Sequence, residues 1–323
     1  MQNKLAYGTL AIFSIMCLIG ACTIYVIDFE HTASLESDSN GNVILELDGF
    51  LPQEYAYMVL TGVHTFDSIY FYYDEDYAST VSTSKVIMFR DTLSQMLDLR
   101  GYAGFESVDA NGLKDVLSDT MNASDVAVLA TTGALPDTVQ DENGYSLLTT
   151  WLSAGGTMYW MGGNPCETYA AGSNLIRLNE GMFDSSWFNT DVSDEGATDC
   201  SYIAEEFQFG YTAISNAIVK DAPGSRVLGL TDDRYSSFSM MPAYGGSVYL
   251  FGGMPGTLSF EQCSAFADML VCGVTADTKV VEKSGGHKGY GDMAITIEPD
   301  VSGELLFVKV GKPITNYGAV VRL

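Results

Sequence analysis

The sequence predicts an α/β protein with an N-terminal transmembrane helix, a doubly wound, mostly parallel sheet and a C-terminal antiparallel β-appendage. Three observations lead to this prediction: residues 5–27 carry no charge, strand-like runs alternate with helical periodicity over 67–274, and short β-prone runs follow from 275. Hydrophobic residues are 47% of the 323, which excludes a disordered chain. The 41 acidic and 15 basic residues give a net charge of −26, which excludes a nucleic-acid-binding protein because that function needs a basic surface.

Residues 1–28 are predicted to form a membrane anchor. As a helix, residues 5–27 would span about 34 Å, enough to cross the apolar core of a bilayer. Lys4 alone precedes this segment among the basic residues, so we expect a cytoplasmic N-terminus and an extracytoplasmic body at the cell membrane. Cleavage stays open, because residues 19–22 resemble a lipobox whose Cys22 would be lipidated. Residues 8–13 are similar to the start of archaeal pilin-like helices.

Alternating strands and helices follow the anchor. Residues 29–66 are predicted as a juxtamembrane β segment, with strands over 43–50 and 55–63. The apolar run 69–73 is typical of a buried parallel strand, and helical spacing follows it as far as Gly101. The pattern continues with strands at 105–108 and 125–130 and helices around 113–117 and 145–152. The apolar positions of the first two helices are Val86, Phe89, Leu93, Met96, Leu97, Leu113, Val116 and Leu117.

Glycines and a helix cap mark the end of the α/β region. Two glycine-framed runs, 155–163 and 245–253, predict short central strands with tight turns at their ends. Ser259 and Gln262 have the spacing of a capping box and predict a helix that begins there. The appendage over 275–323 is predicted to contain four strands, at 280–281, 294–297, 305–310 and 319–323.

A family resemblance is carried by three runs, DVAVLATTGALPDTV, WLSAGGTMYWMGG and YGGSVYLFGGMPG. In fold and glycine placement, residues 67–274 resemble the class I glutamine amidotransferase-like superfamily. This resemblance implies either an amidotransferase or one of the superfamily's non-catalytic extracytoplasmic domains. One such domain belongs to a membrane-anchored accessory subunit of the eukaryotic oligosaccharyltransferase. The catalytic members have a nucleophilic Cys in a strand-to-helix elbow, with His and Glu partners downstream.

The catalytic set of that superfamily is not matched in this sequence. Cys166 lies several residues past the strand end, and Pro165 removes a backbone N–H where an oxyanion hole would need one. His287 is the only downstream histidine, and no His-x-Glu pair occurs. The three histidines are also too far apart in sequence to predict Ser-His-Asp hydrolysis or a zinc site. We therefore expect a non-catalytic member.

Cysteine placement predicts one disulfide. Cys166 and Cys200 lie in polar, loop-like sequence and are the better candidates for pairing. Cys263 and Cys272 are nine residues apart in one predicted helix, which puts them on opposite faces, so we expect buried free thiols. Asn122 begins an N-glycosylation sequon in a predicted turn.

Two acidic clusters are the candidate ligand-binding residues. Asp74, Glu75 and Asp76 directly follow the first buried strand, and ligands of open α/β sheets bind outside the carboxyl ends of strands. Asp232 and Asp233 precede the later glycine-framed strand and are expected at the same edge. Carboxylates suit calcium, the one cofactor left open, or hydrolysis of a glycosidic bond. A solvated acidic surface is the simpler interpretation.

Aromatic residues near the predicted strand ends point to a glycan. Trp160 and Tyr169 are assigned to the ligand site, because sugars stack on aromatic faces while carboxylates accept their hydroxyls. Packing in the core is the alternative role for such rings, and we favour it for Tyr70 and Tyr72.

These features predict a single-pass cell-envelope protein whose non-catalytic α/β ectodomain binds a glycan or a protein partner, for example as an accessory subunit of a membrane complex. Two other functions stay open: a carboxylate-dependent hydrolase of envelope carbohydrate, and an envelope filament or surface-layer subunit. Fold analogy alone does not choose among them.

Overall fold

The computed structural model of this chain describes the following residues: 32–37, 43–48, 53–140, 146–162, 165, 167–177, 192–193, 202–209, 218–219, 225–230, 236–251, 255–289, 293–297, 307–311 and 318–322. Among these residues, no helix is long and apolar enough to cross a membrane. The anchor predicted over 5–27 lies outside them. The fold class and the cell-membrane localisation that the sequence predicted therefore need correction, since the structure gives the single-pass anchor no support.

Strands outnumber helices in the described part of the chain. The strands are β1 Thr32–Ser37, β2 Val43–Asp48, β3 Gln53–Thr61, β4 Ser68–Tyr72, β5 Phe105–Val108, β6 Val126–Ala130, β7 Leu135–Pro136, β8 Thr157–Trp160, β9 Thr168–Ala171, β10 Asn174–Arg177, β11 Val192–Ser193, β12 Ile218–Val219, β13 Arg226–Leu230, β14 Ser236–Ala243, β15 Gly246–Phe251, β16 Lys279–Gly289, β17 Met293–Ile297, β18 Phe307–Gly311 and β19 Gly318–Arg322. The helices are α1 Thr83–Asp98, α2 Ala110–Ser118, α3 Ser146–Ser153, α4 Ile203–Glu206 and α5 Phe260–Val271.

The main sheet has seven strands, in the order β13-β14-β15-β8-β6-β4-β5. From β15 to β5 each strand runs parallel to its neighbour, whereas β14 and β13 continue the sheet antiparallel. Helices cover both faces of this sheet. The core on one face contains side chains of α1 and α5, and the core on the other face contains side chains of α2 and α3.

Local sequence explains where these helices form. The five apolar positions that predicted α1 are its buried residues, because they recur at helical spacing along one face. Helix α2 begins after Asp109, whose carboxylate accepts a hydrogen bond from the Gly112 N–H at 2.7 Å. The capping box predicted at Ser259 and Gln262 is confirmed at the start of α5.

The two ends of the chain pair with each other beside the main sheet. Strand β3 lies between β16 and β18 in a four-stranded sheet of order β16-β3-β18-β19, and β2 pairs with β17. The C-terminal strands therefore do not form an independent appendage, which corrects that part of the predicted fold class. Met58 and Leu60 of β3 belong to the core beneath α1 and α5, so this sheet is joined to the main one by apolar packing.

A buried ion pair joins α1 to α5. The Arg100 Nε atom, just after α1, donates to Asp268 Oδ1 at 2.8 Å, and both side chains are almost completely buried. The same guanidinium donates to the Met96 carbonyl at 2.7 Å and to the Ser264 hydroxyl at 2.7 Å. The fork of Arg100 thus ties the end of one helix to the middle of the other.

The sequence predicted two cysteines within one helix; Cys263 lies in α5, and Cys272 is the residue that directly follows it. Cys263 and Cys272 are both buried and neither forms a disulfide, which confirms that they do not pair with each other. Burial raises the pKa of the Cys263 thiol to about 12, because a thiolate is poorly solvated there. The predicted partners Cys166 and Cys200 lie outside the described residues.

Candidate functional site

The carboxyl end of the main sheet is the first candidate site. The connection after β4 runs to β5 on one side, whereas the connection after the adjacent strand β6 runs toward β8 on the other side. The two strands therefore flank a switch point, which is where open α/β sheets bind ligands. The loops after β4, β5 and β6 all reach this end. They carry the acidic side chains of Asp74, Glu75, Asp76, Asp109 and Asp137.

Asp74 is engaged by the protein's own backbone. Its Oδ1 atom accepts from the Asp76 N–H at 2.9 Å, and its Oδ2 atom accepts from the Ala110 N–H at 3.0 Å. Ala110 is the first residue of α2, so this carboxylate satisfies an N–H group that the helix leaves open. Glu75 and Asp76 are exposed. Of the predicted trio, Asp74 therefore has a structural role, and the other two form an acidic surface.

Carboxylates also surround two tyrosine hydroxyls at this end. The Tyr77 hydroxyl donates to Asp137 Oδ1 at 3.2 Å. The pKa of Tyr77 is raised by burial first, then by that hydrogen bond and by the nearby carboxylates. Burial raises the pKa of Tyr72 strongly, and the charges of Asp74 and Asp137 raise it further. Both shifts favour the neutral phenol, and the nearby carboxylate charges add to the larger effect of burial.

The loop after β4 closes over the switch point. The Ser79 hydroxyl donates to the Thr132 carbonyl at 2.8 Å, and the Thr80 hydroxyl donates to the Gly162 carbonyl at 2.7 Å. Gly133 has a φ of +69°, and a side chain there would collide with Thr80 and Gly162. This close packing places the accessible part of the site on the outer loops rather than in the cleft between β4 and β6.

A small sheet with an exposed edge adjoins these loops. Its strand order is β10-β9-β7, and all four residues of β10 are exposed, including Leu175 at 41% and Ile176 at 38%. It is held to the acidic loops by two backbone hydrogen bonds of 2.8 Å, from Asp137 N–H to the Ala170 carbonyl and from Ala78 N–H to the Gly172 carbonyl. This hairpin is absent from the elements predicted from the sequence, although Gly172 between two β-prone runs is a signal for it.

The two predicted aromatic ligand residues lie in the interior. Trp160, the last residue of β8, is 1% exposed and belongs to the core beneath α2 and α3. Tyr169 of β9 is 9% exposed. Neither ring presents a face to solvent on which a sugar could stack. These assignments are therefore corrected to packing roles.

The remaining predicted site residues are only partly described. Asp232 and Asp233 lie outside the described residues, so the structure does not test whether they approach Asp74. Asn122 is exposed in the turn before a 3-10 segment at Ala123–Asp125, and its Nδ2 atom donates to Asp119 Oδ2 at 2.8 Å. Within the part of the chain that the structure describes, no group of three or more His, Cys, Asp or Glu residues is placed to hold a metal ion.

A second candidate site is a groove of about 420 Å³ where α4, the start of β13 and the turn into β16 meet. Tyr202, Glu206, Arg226, Asp277 and Lys279 are among its lining residues. Tyr202 is 48% exposed. Its backbone has a φ of 59°, a left-handed conformation that is uncommon for residues other than glycine. The groove thus combines an aromatic face with charges of both signs.

One family model matches part of the chain. The sequence model of the MJECL34 family matches residues 67–182, about a third of the chain. No curated protein matches the chain. The matched stretch contains β4 to β10 and therefore the acidic carboxyl end with its exposed hairpin, whereas the lining residues of the groove lie outside it.

Proposed function

We propose that this protein is a non-catalytic binding protein that engages a partner protein at the carboxyl end of its main sheet. The observation that carries the proposal is β10: its four residues are exposed, and within the described part of the chain only β9 pairs with it. An unpaired strand edge can accept an extended segment of another chain through main-chain hydrogen bonds. The protein would then act as an accessory subunit of a larger complex.

The chemistry around β10 favours a basic partner segment. Leu175 and Ile176 point to opposite faces of the strand, so each face offers an apolar contact. The adjoining loops contribute carboxylates, whereas Arg177 at the end of β10 pairs with Glu167 at 3.3 Å. A segment that alternates cationic and apolar side chains complements this surface. The carboxylates in question are Asp74, Glu75, Asp76, Asp109 and Asp137.

The use of Asp74 and Asp109 as helix-capping groups supports a binding role over a hydrolytic one. The backbone N–H groups of Ala110 and Gly112 occupy these carboxylates, whereas a glycosidase presents both of its carboxyl groups to the sugar. We also propose that residues 67–274 are a non-catalytic relative of the class I glutamine amidotransferase-like superfamily. The parallel, adjacent arrangement of the glycine-framed strands β8 and β15 supports this relation.

The test uses the full chain and a synthetic peptide that alternates lysine and valine. We expect saturable binding that weakens with salt, because exposed charge pairs are screened. Ile176→Lys should weaken binding roughly tenfold by adding a like charge at the contact. Val281→Lys is the matched control, since Val281 is an exposed apolar strand residue in β16, and it should bind like the parent.

Two outcomes would contradict this proposal. Equal binding of a peptide that alternates glutamate and valine would exclude charge complementarity at the β10 edge. Turnover of an envelope polysaccharide that Asp74→Asn abolishes would establish the hydrolase instead. Each assay is run with and without calcium, because the exposed carboxylates are the oxygen ligands that calcium prefers.

A further inference from the structure

We infer that Glu167 selects a cationic side chain of the partner segment at the β10 edge, and that Arg177 is a built-in competitor for Glu167. This inference rests on the function proposed above, because it assigns residues of the same site. In the free protein the Arg177 Nη2 atom lies 3.3 Å from Glu167 Oε1. A partner cation that takes this position displaces the guanidinium, so the pair decides by charge which segments bind.

The open edge of β10 follows from its pairing with β9. A two-residue turn joins these strands, and Asn174 lies opposite Ala171. The residues that close such a turn share a hydrogen bond, and hydrogen-bonded pairs alternate with non-bonded pairs along an antiparallel ladder. Leu175 and Arg177 therefore direct their main-chain N–H and C=O groups away from β9. A partner strand pairs with these groups, which brings its own side chains beside that of Arg177.

Arg177 brings a positive charge to an otherwise acidic end of the molecule. The sequence of the hairpin, 167–177, and of the loops 73–80 and 131–140 contains no other Lys or Arg. A positive charge on β10 repels a cationic segment, whereas Glu167 attracts it. Arg177 thus lowers the affinity for a cation in two ways, because it adds a like charge and occupies the acceptor.

The ion pair is exposed enough to be exchanged. The side chain of Arg177 is 65% exposed and that of Glu167 is 36% exposed. Exposed ion pairs contribute little to stability, because water weakens the attraction and long side chains lose freedom when they pair. A lysine or arginine of the partner therefore replaces Arg177 at low cost. The pair adds charge selection to a main-chain edge that by itself accepts many sequences.

The experiment is a double-mutant cycle on binding of the full chain to the peptide that alternates lysine and valine. Calorimetry at about 0.1 M salt suits it, because charges more than about 10 Å apart are then largely screened. Arg177→Gln should tighten binding roughly fivefold, since it frees Glu167 and removes the like charge. Glu167→Gln should weaken binding roughly fivefold, since the partner's cation loses its acceptor. In the Glu167→Gln background, Arg177→Gln should change the affinity less than about twofold.

Lys279→Gln is the matched control for the loss of one positive charge. Lys279 is an exposed residue of β16, outside the hairpin, so this variant should bind like the parent. Sedimentation of Arg177→Gln should give the same mass as the parent. A dimer of this variant would mean that Arg177 blocks pairing between copies of the chain, and would overturn the inference.

The remaining outcomes separate this inference from the proposed function. If the parent binds the peptide and Arg177→Gln binds equally or more weakly, the proposed function stands and the competition for Glu167 is wrong. An equal gain from Arg177→Gln in both backgrounds would show general charge repulsion and would also overturn the competition. Absence of binding by the parent and by every variant would overturn both proposals.

Discussion

The carboxylate of Asp74 accepts hydrogen bonds from the N–H groups of Asp76 and Ala110. Asp74→Ala leaves the start of α2 without one of its acceptors, so we expect the free energy of unfolding to fall by about 1–2 kcal/mol. Urea unfolding measures this change. Glu75→Ala, at the adjacent exposed position, should stay within about 0.5 kcal/mol of the parent. Equal effects of the two substitutions would mean that the capping role of Asp74 is wrong.

Two neighbouring threonines after β6 give a second prediction. The Thr132 hydroxyl donates to the Ala134 carbonyl at 2.6 Å, whereas the buried Thr131 hydroxyl has no hydrogen-bond partner within the described part of the chain. Thr131→Val removes an unsatisfied polar group at constant shape, so the protein should gain up to about 1 kcal/mol of stability. Thr132→Val should instead lose about 1 kcal/mol, because the Ala134 carbonyl loses its donor. The melting temperatures of the two variants and the parent protein test this prediction. A lower melting temperature for Thr131→Val than for the parent would contradict it.

For single residues, the sequence predicts position along a strand but not which way a side chain faces. Asp74 could be placed at the carboxyl end of a strand, because the apolar run before it is a local signal. Trp160 could be placed at a strand end as well, but whether its ring faces a ligand or the core depends on which helices cover that face. Part of that face is covered by α2, which is distant from Trp160 in the sequence, so composition near Trp160 could not supply this information.

At the scale of helices, the buried pair of Arg100 and Asp268 gives the largest expected effect. Asp268→Asn leaves the guanidinium buried without its counter-charge, so we expect a loss of about 3–5 kcal/mol in the free energy of unfolding. Asp91→Asn is the matched control, because Asp91 pairs with Arg90 at the surface, and it should cost less than about 1 kcal/mol. Chemical denaturation compares the two. Similar losses would show that burial does not distinguish these pairs.

Helix α5 gives a prediction about thiol reactivity and pH. The pKa of Cys263 is about 12 in the folded protein against 9.0 for an ordinary thiol, so its stabilising contribution is complete below pH 9 and is lost as the pH rises toward 12. Iodoacetamide at pH 8 should therefore leave Cys263 unmodified in the native protein and modify it in denaturant. Peptide mapping by mass spectrometry reads this result, and modification at equal rates in both states would contradict it. The same map under non-reducing conditions tests the predicted Cys166–Cys200 disulfide.

Elements differ in how much of them the sequence reveals. Helix α1 was predicted down to its buried residues, because helical periodicity is a property of neighbouring residues. The hairpin of β9 and β10 was not predicted, since its strands have four residues each and β10 has no buried face to impose an alternating pattern. The partners of β3 could not be predicted either, because pairing over such a sequence distance leaves no local signal.

For the whole molecule, net charge sets the response to salt. A charge of −26 makes the folded state repel itself, and salt shortens the range of this repulsion from about 30 Å at 0.01 M to about 10 Å at 0.1 M. We expect the melting temperature to rise over this interval. Sodium chloride and potassium chloride should act alike, since screening depends on ionic strength. A constant melting temperature would show that the carboxylates are too widely spaced to interact.

The pairing of β3 with strands from the other end of the chain has a consequence during translation. A ribosome finishes β3 more than 200 residues before it makes β16, and β18 comes later still. All strands of the main sheet, from β4 to β15, are synthesised before β16. The main sheet can therefore assemble before β16 and β18 are available to pair with β3. Pairing of β3 with β16 and β18 is a long-range step that follows synthesis of those strands. Until β16 and β18 are made, the backbone groups of β3 lack their partners, so this segment is open to pairing with another chain.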